Sequence, residues 1–145
     1  MKFFSHALAL GSVASAAFIP QQFPTEHAAI TNLYARKLNG TVVNSLSFKL
    51  SIDGKTPYEC SSSTFGFGQC NTTDAYYGFA LQDNGTSTYT IAVSKSLGGG
   101  YDIWGQVGVP TYCHAGGAGI NDMVCSQVNN ASNFKLTWGL GDKSA

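Results

Sequence analysis

Apolar and polar side chains alternate along most of the chain. The pattern is clear at residues 46–52, where Leu46, Phe48, Leu50 and Ile52 are separated by single serine or lysine residues and followed by Asp53-Gly54. A period of two puts the apolar side chains on one face of an extended strand, and an Asp-Gly pair is typical of a turn. The segment therefore predicts a β-strand with one buried face that ends in a turn.

The same alternation recurs towards the C-terminus. Residues 77–81 and 89–93 predict two strands joined by Asp83-Asn84-Gly85-Thr86, whose Asn-Gly pair suits a tight hairpin turn. Further candidate strands lie at 30–36, 58–61, 103–109, 123–127 and 134–138. Short strands separated by turn signals, with no convincing helical segment, predict an all-β fold: a single antiparallel β-barrel or a barrel-like sandwich.

Residues 1–16 have the composition of a secretory signal peptide. Lys2 precedes an apolar stretch, and Ala14-Ser15-Ala16 supplies the small residues of a signal-peptidase site. A buried N-terminal helix is the less favoured alternative, because Pro20 and Pro24 would end it. We expect cleavage after Ala16, or one residue later, and a secreted, extracellular protein.

The predicted domain organisation has three parts. A signal peptide at 1–16 precedes a flexible segment at 17–28, which contains proline and glutamine, and a β-barrel domain at 29–145. A total of 145 residues suits one domain. The barrel is the only part that we expect to fold.

Charge and hydropathy exclude two classes of partner. The chain has eight basic and eight acidic residues, and removal of the signal peptide takes away Lys2 and leaves a net charge near −1. Such a chain has no basic field to attract nucleic acid or an anionic membrane. No apolar stretch reaches the roughly 18 residues that a transmembrane helix requires. We expect neither nucleic-acid binding nor membrane insertion.

The four cysteines lie at Cys60, Cys70, Cys113 and Cys125. None forms a Cys-x-x-Cys pair, and only His114 adjoins a cysteine, which is unlike the clustered ligands of a zinc site. In an oxidising compartment, two disulfides are the favoured outcome. Three connectivities are open, of which the sequential one closes two local loops, each contributing about 2.5–3 kcal/mol.

Four Asn-x-Ser/Thr sequences are candidate glycosylation sites. They begin at Asn39, Asn71, Asn84 and Asn130, each in a stretch that predicts a loop. Glycans at these sites would agree with secretion.

A catalytic interpretation has little support. Only His27 and His114 remain after the signal peptide, and the sequence has no Gly-x-Ser-x-Gly. Asp102, Asp122 and Glu59 are candidates for a glycosidase pair, but among eight acidic residues any pair can be nominated. We predict no catalytic residue, no metal and no cofactor.

Aromatic residues permit a binding interpretation. Candidates for a sugar-stacking or apolar-ligand surface are Tyr76, Tyr101, Trp104, Tyr112 and Trp138. Alternation favours core positions for Trp138 and Phe79. Trp104, by contrast, shares its side of the strand with polar residues, so we expect it to be exposed. With Tyr101 and His114 it forms our candidate partner surface.

Two blocks of sequence resemble the Alternaria major-allergen family. The first comprises Tyr34-Ala35-Arg36-Lys37, Gly40-Thr41 and Asn44-Ser45-Leu46-Ser47-Phe48, and the second comprises Pro110-Thr111-Tyr112-Cys113-His114-Ala115-Gly116-Gly117 with Asp122, Val124 and Cys125. With the strands between them the blocks span residues 29–138, and the second block is the more specific.

The resemblance implies a secreted fungal β-barrel with no known catalytic activity and with disulfides Cys60–Cys70 and Cys113–Cys125. Members of that family act as allergens and as elicitors or effectors that provoke plant defence and cell death. They do so partly by engaging host proteins such as thaumatin-like pathogenesis-related proteins. We therefore expect a non-enzymatic effector that binds plant defence proteins or a host surface receptor. The alternatives are a small-ligand or carbohydrate-binding barrel and, less favoured, a secreted hydrolase.

The chain departs from the family pattern in three ways. Typical members carry an additional cysteine that links two barrels, but none precedes Cys60 here. The loop between Cys60 and Cys70 is shorter than usual. His114 stands where an arginine is common, so a contact that needs a fixed positive charge there is in doubt. We expect mainly monomer and no covalent dimer.

Overall fold

The structure is a computed structural model that describes residues 23–63, 66–73, 75–84, 87–139 and 142–144. Its regular structure in these ranges consists of β-strands alone. In chain order they are β1 (Glu26–Lys37), β2 (Ser45–Ile52), β3 (Tyr58–Ser62), β4 (Phe67–Asn71), β5 (Tyr77–Asp83), β6 (Thr88–Gly98), β7 (Tyr101–Ala115), β8 (Met123–Gln127), β9 (Ser132–Trp138) and β10 (Asp142–Ser144). The predicted signal peptide lies outside the described residues.

The strands close into an antiparallel barrel with eight positions around its circumference. Strands β1 to β7 are sequential neighbours, and β8 and β9 share the last position. β9 pairs with the first half of β1 and the start of β7, whereas β8 pairs with the second half of β1 and the end of β7. Among the described strands, only β10 runs parallel to its neighbour, β7. The predicted all-β barrel is confirmed.

The strand boundaries differ from the sequence pattern at several points. β8 coincides with the predicted 123–127, but the alternation does not predict β4 or β10. The barrel begins at Glu26 rather than at residue 29, because residues 26–30 pair with β9 and Ala28 pairs with Ile52 of β2. The end of the predicted flexible segment therefore belongs to β1. Such pairing partners are distant in sequence, so no local pattern indicates them.

The inward-facing side chains form one apolar core. Phe79 is 5% exposed and packs edge-on against Phe48, with ring centroids 4.8 Å apart, so its predicted core position is confirmed. The core prediction for Trp138 is wrong, because this side chain is 55% exposed. Trp138 is the last residue of β9 and stacks on Phe23 at the barrel rim, with centroids 4.6 Å apart. Alternation indicates to which side of a strand a side chain points, but not whether it lies deep in the barrel or at its rim.

A bulge in β1 marks the point where this strand changes partner from β9 to β8. Asn32 has a φ of 54°, and the register of β1 shifts between Thr31 and Tyr34. The side chain of Gln127 fills the gap: its Oε1 accepts a 3.0 Å hydrogen bond from the Leu33 N–H, and its Nε2 donates one to the Ile30 carbonyl at 3.0 Å. The bulge keeps both halves of β1 facing the core.

A cluster of Glu26, Tyr77 and Lys95 closes one end of the barrel. The Tyr77 hydroxyl donates a 2.7 Å hydrogen bond to Glu26, which also pairs with Lys95. The Lys95 ammonium lies 5.3 Å from the centre of the Tyr77 ring. Burial, with the adjacent Glu26 carboxylate, raises the pKa of Tyr77 far above its ordinary value. Since Glu26 is on β1 and the other two residues are on β5 and β6, the cluster ties opposite walls together.

A second cluster of the same kind closes the other end. Lys37, the last residue of β1, pairs with Asp83 at 2.5 Å and lies 5.5 Å from the centre of the Tyr89 ring. The Tyr89 hydroxyl lies 3.3 Å from the Sγ of Cys125. Burial raises the pKa of Tyr89 although the neighbouring Lys37 opposes this shift. The charged groups at both barrel ends are thus held in ion pairs.

Both disulfides join residues that face each other on adjacent strands. Cys60 and Cys70 connect β3 to β4, and Cys113 and Cys125 connect β7 to β8. This is the pairing that the family resemblance implies, and it uses all four cysteines of the sequence.

The loop-closure model gives our first prediction. Replacing either pair by alanine, as C60A/C70A or C113A/C125A, should lower the free energy of unfolding by about 2.5–3 kcal/mol. Urea denaturation measures the change, and non-reducing peptide mapping of the parent protein checks the connectivity. A crossed pairing, or a loss below about 1 kcal/mol in both variants, would contradict this account.

The backbone of β9 approaches β7 very closely at Gly105. A Cβ atom at this position would lie 2.0 Å from the Lys135 carbonyl oxygen and 3.1 Å from the Phe134 ring. Gly78 of β5 offers a comparison, since a Cβ there would meet nothing closer than Ser94 Oγ at 3.5 Å. Packing therefore requires a glycine at Gly105 but not at Gly78.

Our second prediction compares these two glycines. Gly105→Ala should lower the free energy of unfolding by about 3 kcal/mol, because backbone must move to admit the methyl group. Gly78→Ala should change it by less than about 1 kcal/mol. Equal urea midpoints for the two variants would show that β9 is not in close contact with β7.

Candidate functional site

The three residues predicted as a partner surface do not lie together. Tyr101 and Trp104 occupy the start of β7, whereas His114 is exposed near its end. Ten residues of extended strand separate Trp104 from His114, a distance of about 30 Å. His114 lies on the strand itself, although the sequence becomes glycine-rich two residues later, at Gly116-Gly117. The barrel therefore presents two separate candidate surfaces.

The first surface is a groove of about 600 Å³ across the outer face of β4, β5, β6 and β7. Strand register aligns Gln69, Gly78, Ser94 and Trp104 in one row across it. The next row aligns Phe67 with Ala80 and Ala92. Small residues thus form the floor, and large ones stand at both sides.

Hydrogen bonds position the large residues beside the groove. The Trp104 indole Nε1 donates a 2.6 Å bond to the carbonyl of Gly139, and Gln69 Nε2 donates to the Tyr76 hydroxyl. Trp104 is half-buried, while Phe67 and Tyr76 are 67% and 59% exposed. All of the residues that line the groove are uncharged.

The second surface lies on the outer face of the second half of β1, β8 and the end of β7. Tyr34, Ser126 and Tyr112 are aligned across these strands, and the tyrosines are 39% and 66% exposed. His114 adjoins Tyr112, with ring centroids 6.3 Å apart. We call this surface, together with Ile120 of the next loop, the tyrosine face.

Residues 116–121 form a loop that is anchored by a buried aspartate. Asp122 is fully buried and accepts hydrogen bonds from Arg36 Nε at 3.0 Å and Nη2 at 2.8 Å. It also accepts a 2.9 Å bond from the Ala118 N–H. A Cβ at Gly116 would lie 2.2 Å from the Asp122 carboxylate, so the loop wraps this group tightly. Beyond it Ile120 is 98% exposed.

This ion pair connects the two sequence blocks. Arg36 belongs to the first block and Asp122 to the second, but their contact cannot be inferred from spacing along the chain. The hydrogen bonds from Arg36 and from the Ala118 N–H hold the pKa of Asp122 below its ordinary value, against the effect of burial. The same pairing raises the pKa of Arg36. Both groups are therefore charged wherever the protein is folded at neutral pH.

The candidate catalytic carboxylates do not come together. Asp122 is bound by Arg36, Glu59 lies on β3 and pairs with Lys49 at 3.4 Å, and Asp102 is exposed on β7. Among the described residues, no three His, Cys, Asp or Glu side chains could hold a metal ion. Within the same ranges, no helix has the length and apolar character needed to cross a membrane.

The asparagines of the four predicted glycosylation sites are exposed at Asn39, Asn71, Asn84 and Asn130. Asn39 adjoins the tyrosine face, because a Cβ at the neighbouring Gly40 would lie 3.2 Å from the Asn121 carbonyl oxygen. A glycan there would cover part of this surface. Glycosylation itself stays a prediction.

Phe67, Tyr34 and Ile120 are not among the surface residues that the sequence predicts, although Tyr34 belongs to the first sequence block. Each is a large apolar or aromatic residue with substantial exposure. For Tyr34 the sequence signal is its position in the alternating pattern, since it lies between Leu33 and Ala35, which are buried and therefore point the other way. For Ile120 the signal is an isolated apolar residue between glycine and asparagine in a loop.

Our third prediction concerns acid stability. The folded pKa of Asp122 lies below that of the unfolded chain, so its stabilisation is present above about pH 4 and lost as the pH falls through the folded value. Asp122→Asn should therefore be less stable than the parent at pH 7, and the difference should shrink below about pH 4. Urea unfolding across this range tests it, with exposed Asp102→Asn as control. A difference that does not change with pH would contradict the ion-pair account.

Comparisons with known proteins agree with the fold. Residues 30–125 match the family model for Alternaria alternata allergen 1. A crystal structure of Alternaria alternata allergen Alt a 1 has a TM-score of 0.62 at 24% identity, covering 78% of this chain and 87% of that one. A second crystal structure of this major allergen gives a TM-score of 0.60 at 25% identity, covering 81% and 96%. No curated protein sequence matches. Because the family model covers more than half of the chain and includes both sequence blocks, the chain belongs to the Alternaria alternata allergen 1 family.

Proposed function

We propose that this protein is a secreted fungal effector or elicitor that provokes plant defence or cell death by binding a host protein at the tyrosine face. One observation carries the proposal: Ile120 is 98% exposed on a loop whose base is anchored by the Arg36–Asp122 ion pair. With the exposed Tyr34 and Tyr112, Ile120 gives the tyrosine face a group of exposed apolar and aromatic side chains, which is expected where a partner covers a surface.

The neighbouring side chains suit a protein interface. Tyrosines are enriched at interface centres, where their rings bury large areas and their hydroxyls still form hydrogen bonds. Tyr34 and Tyr112 stand about 10 Å apart on either side of Ser126, within the area of a single interface. Because the strands and the anchored loop already fix these groups, binding loses little conformational entropy.

The partner that we propose is a thaumatin-like pathogenesis-related protein or a host surface receptor. His114 lies in the row next to Tyr112, so the partner meets an imidazole in place of the guanidinium that the family resemblance leads us to expect. A partner that required a bidentate arginine contact at this point would bind this chain weakly.

We also propose that the protein acts without catalysis and mainly as a monomer. The candidate carboxylates lie apart, which supports the first point. Both disulfides are internal and use all four cysteines, which supports the absence of a covalent dimer. A non-covalent dimer would need about 1,200 Å² or more of buried surface. Sedimentation at several concentrations tests the monomer, and a dimer that persists at the lowest one would contradict it.

Our fourth prediction tests the tyrosine face. Ile120→Asp and Tyr112→Ala should each weaken binding to a purified thaumatin-like plant protein by at least about tenfold, because central apolar contacts dominate interface energies. Both side chains are exposed, so folding should be unaffected. Surface plasmon resonance measures the affinity, and infiltration into leaves measures necrosis.

Phe67→Ala is the matched control. Phe67 is 67% exposed, close to the 66% of Tyr112, but lies on β4 at the opposite side of the barrel. The Phe67→Ala variant should bind the plant protein and cause necrosis like the parent. The proposal fails if the parent protein causes no necrosis at micromolar dose, or if all three variants retain parent affinity.

A further inference from the structure

We propose that the groove across β4, β5, β6 and β7 is a binding site for a neutral oligosaccharide. This site is separate from the tyrosine face and does not depend on the function proposed for it. Its evidence is the composition of the floor, the placement of the aromatic rings and the absence of charge from the lining.

The floor of the groove departs from what a β-sheet surface prefers. Its residues include Gly78, Ala80, Ala92 and Ser94, which occupy adjacent outward-facing positions of β5 and β6. Glycine and alanine are poor strand formers, since they offer little side chain to pack against neighbours. Replacing them with β-branched residues would favour the sheet and fill the depression. A local sequence that disfavours its own element is typical of a functional site.

Aromatic side chains stand on both sides of this floor. Phe67 is on β4, and Tyr76, just before β5, accepts a hydrogen bond from Gln69 of β4; Trp104 is on β7. A pyranose ring has an apolar face of C–H groups that packs against aromatic rings, and hydroxyl groups around its edge. The rings here are partly exposed and their polar atoms are already bonded to the protein, so they are held ready for such packing.

Polar groups for the sugar edge lie in the same row as the tryptophan. Gln69 offers an amide and Ser94 a hydroxyl, at either side of Gly78. An apolar small molecule would require a cavity that encloses most of its surface. An open groove with hydrogen-bonding groups among aromatic rings suits an amphipathic ligand that keeps one side in water.

The size and charge of the groove narrow the ligand class. Three interstrand spacings separate Gln69 on β4 from Trp104 on β7, a span of about 14 Å. This span exceeds a single sugar ring. Because the lining contains neither a basic nor an acidic side chain, it provides no partner for an ionised sugar. A short neutral oligosaccharide satisfies both conditions.

Titration of the secreted protein with neutral oligosaccharides tests the proposal and is our fifth prediction. The probes are hexasaccharides of β-1,3-glucan, β-1,4-glucan, xylan and chitin, with oligogalacturonate as the charged comparison. Isothermal titration calorimetry should detect saturable binding of at least one neutral probe. Its affinity should not change between low and high salt, since no charge pair contributes. Oligogalacturonate should not bind.

Two variants locate the site. Ala92→Gln fills the floor without removing a ring, and Trp104→Ala removes one wall; each should weaken binding at least about tenfold. Ala29→Gln is the matched control, because it makes the same change at an outward-facing, half-buried alanine but lies on the first half of β1, outside both surfaces. Thermal unfolding checks that each variant is folded, and Ala92→Gln keeps the test valid if Trp104→Ala is unstable.

The outcomes separate this proposal from the function proposed above. Ala92→Gln should lose sugar binding but still cause necrosis. Ile120→Asp should bind the sugar like the parent but no longer cause necrosis. The proposal is overturned if no neutral probe binds, if Ala92→Gln binds like the parent, or if the charged probe binds more tightly than every neutral one.

Discussion

The structure depends on closure of the barrel through β1. This strand pairs with β2 along one edge and with both β9 and β8 along the other, so it joins the beginning of the chain to its end. Closure leaves no unpaired strand edge along β1, but it requires one strand to serve two partners in succession. The bulge at Asn32 and the amide of Gln127 solve this problem, since the amide supplies the hydrogen bonds that the interrupted ladder lacks.

Closure also decides where charge can be placed. The inward positions at the two ends of β1 are Glu26 and Lys37, and each reaches across the barrel to a partner of opposite charge and to a tyrosine. Ionised groups so close to an apolar core are tolerated only when they are paired. The interior is thus occupied by apolar side chains and its ends by ion pairs. Groups able to meet a partner are the outward-facing ones.

The two candidate surfaces are built in different ways. The groove lies on paired strands, and its shape comes from small side chains at Gly78, Ala80 and Ala92 between fixed aromatic rings. The tyrosine face combines strand residues with a loop, which the buried Asp122 anchors to Arg36 and to its own backbone. The first surface is a depression without charge, and the second is a projection with an apolar tip. We therefore propose ligands of different size and chemistry for them.

The all-β class, most strands and the side of each strand that faces the core follow from local alternation in the sequence. The sequence also indicates the family, through blocks that contain Arg36 and Asp122. Three features depend instead on how the strands assemble: the partly buried ion pair between these two residues, the exposure of Trp138 at the rim, and the placement of Trp104 and His114 on separate surfaces. The reason is physical: a period of two encodes which way a side chain points, whereas strand register, bulges and barrel closure arise from hydrogen bonds between residues far apart in the chain.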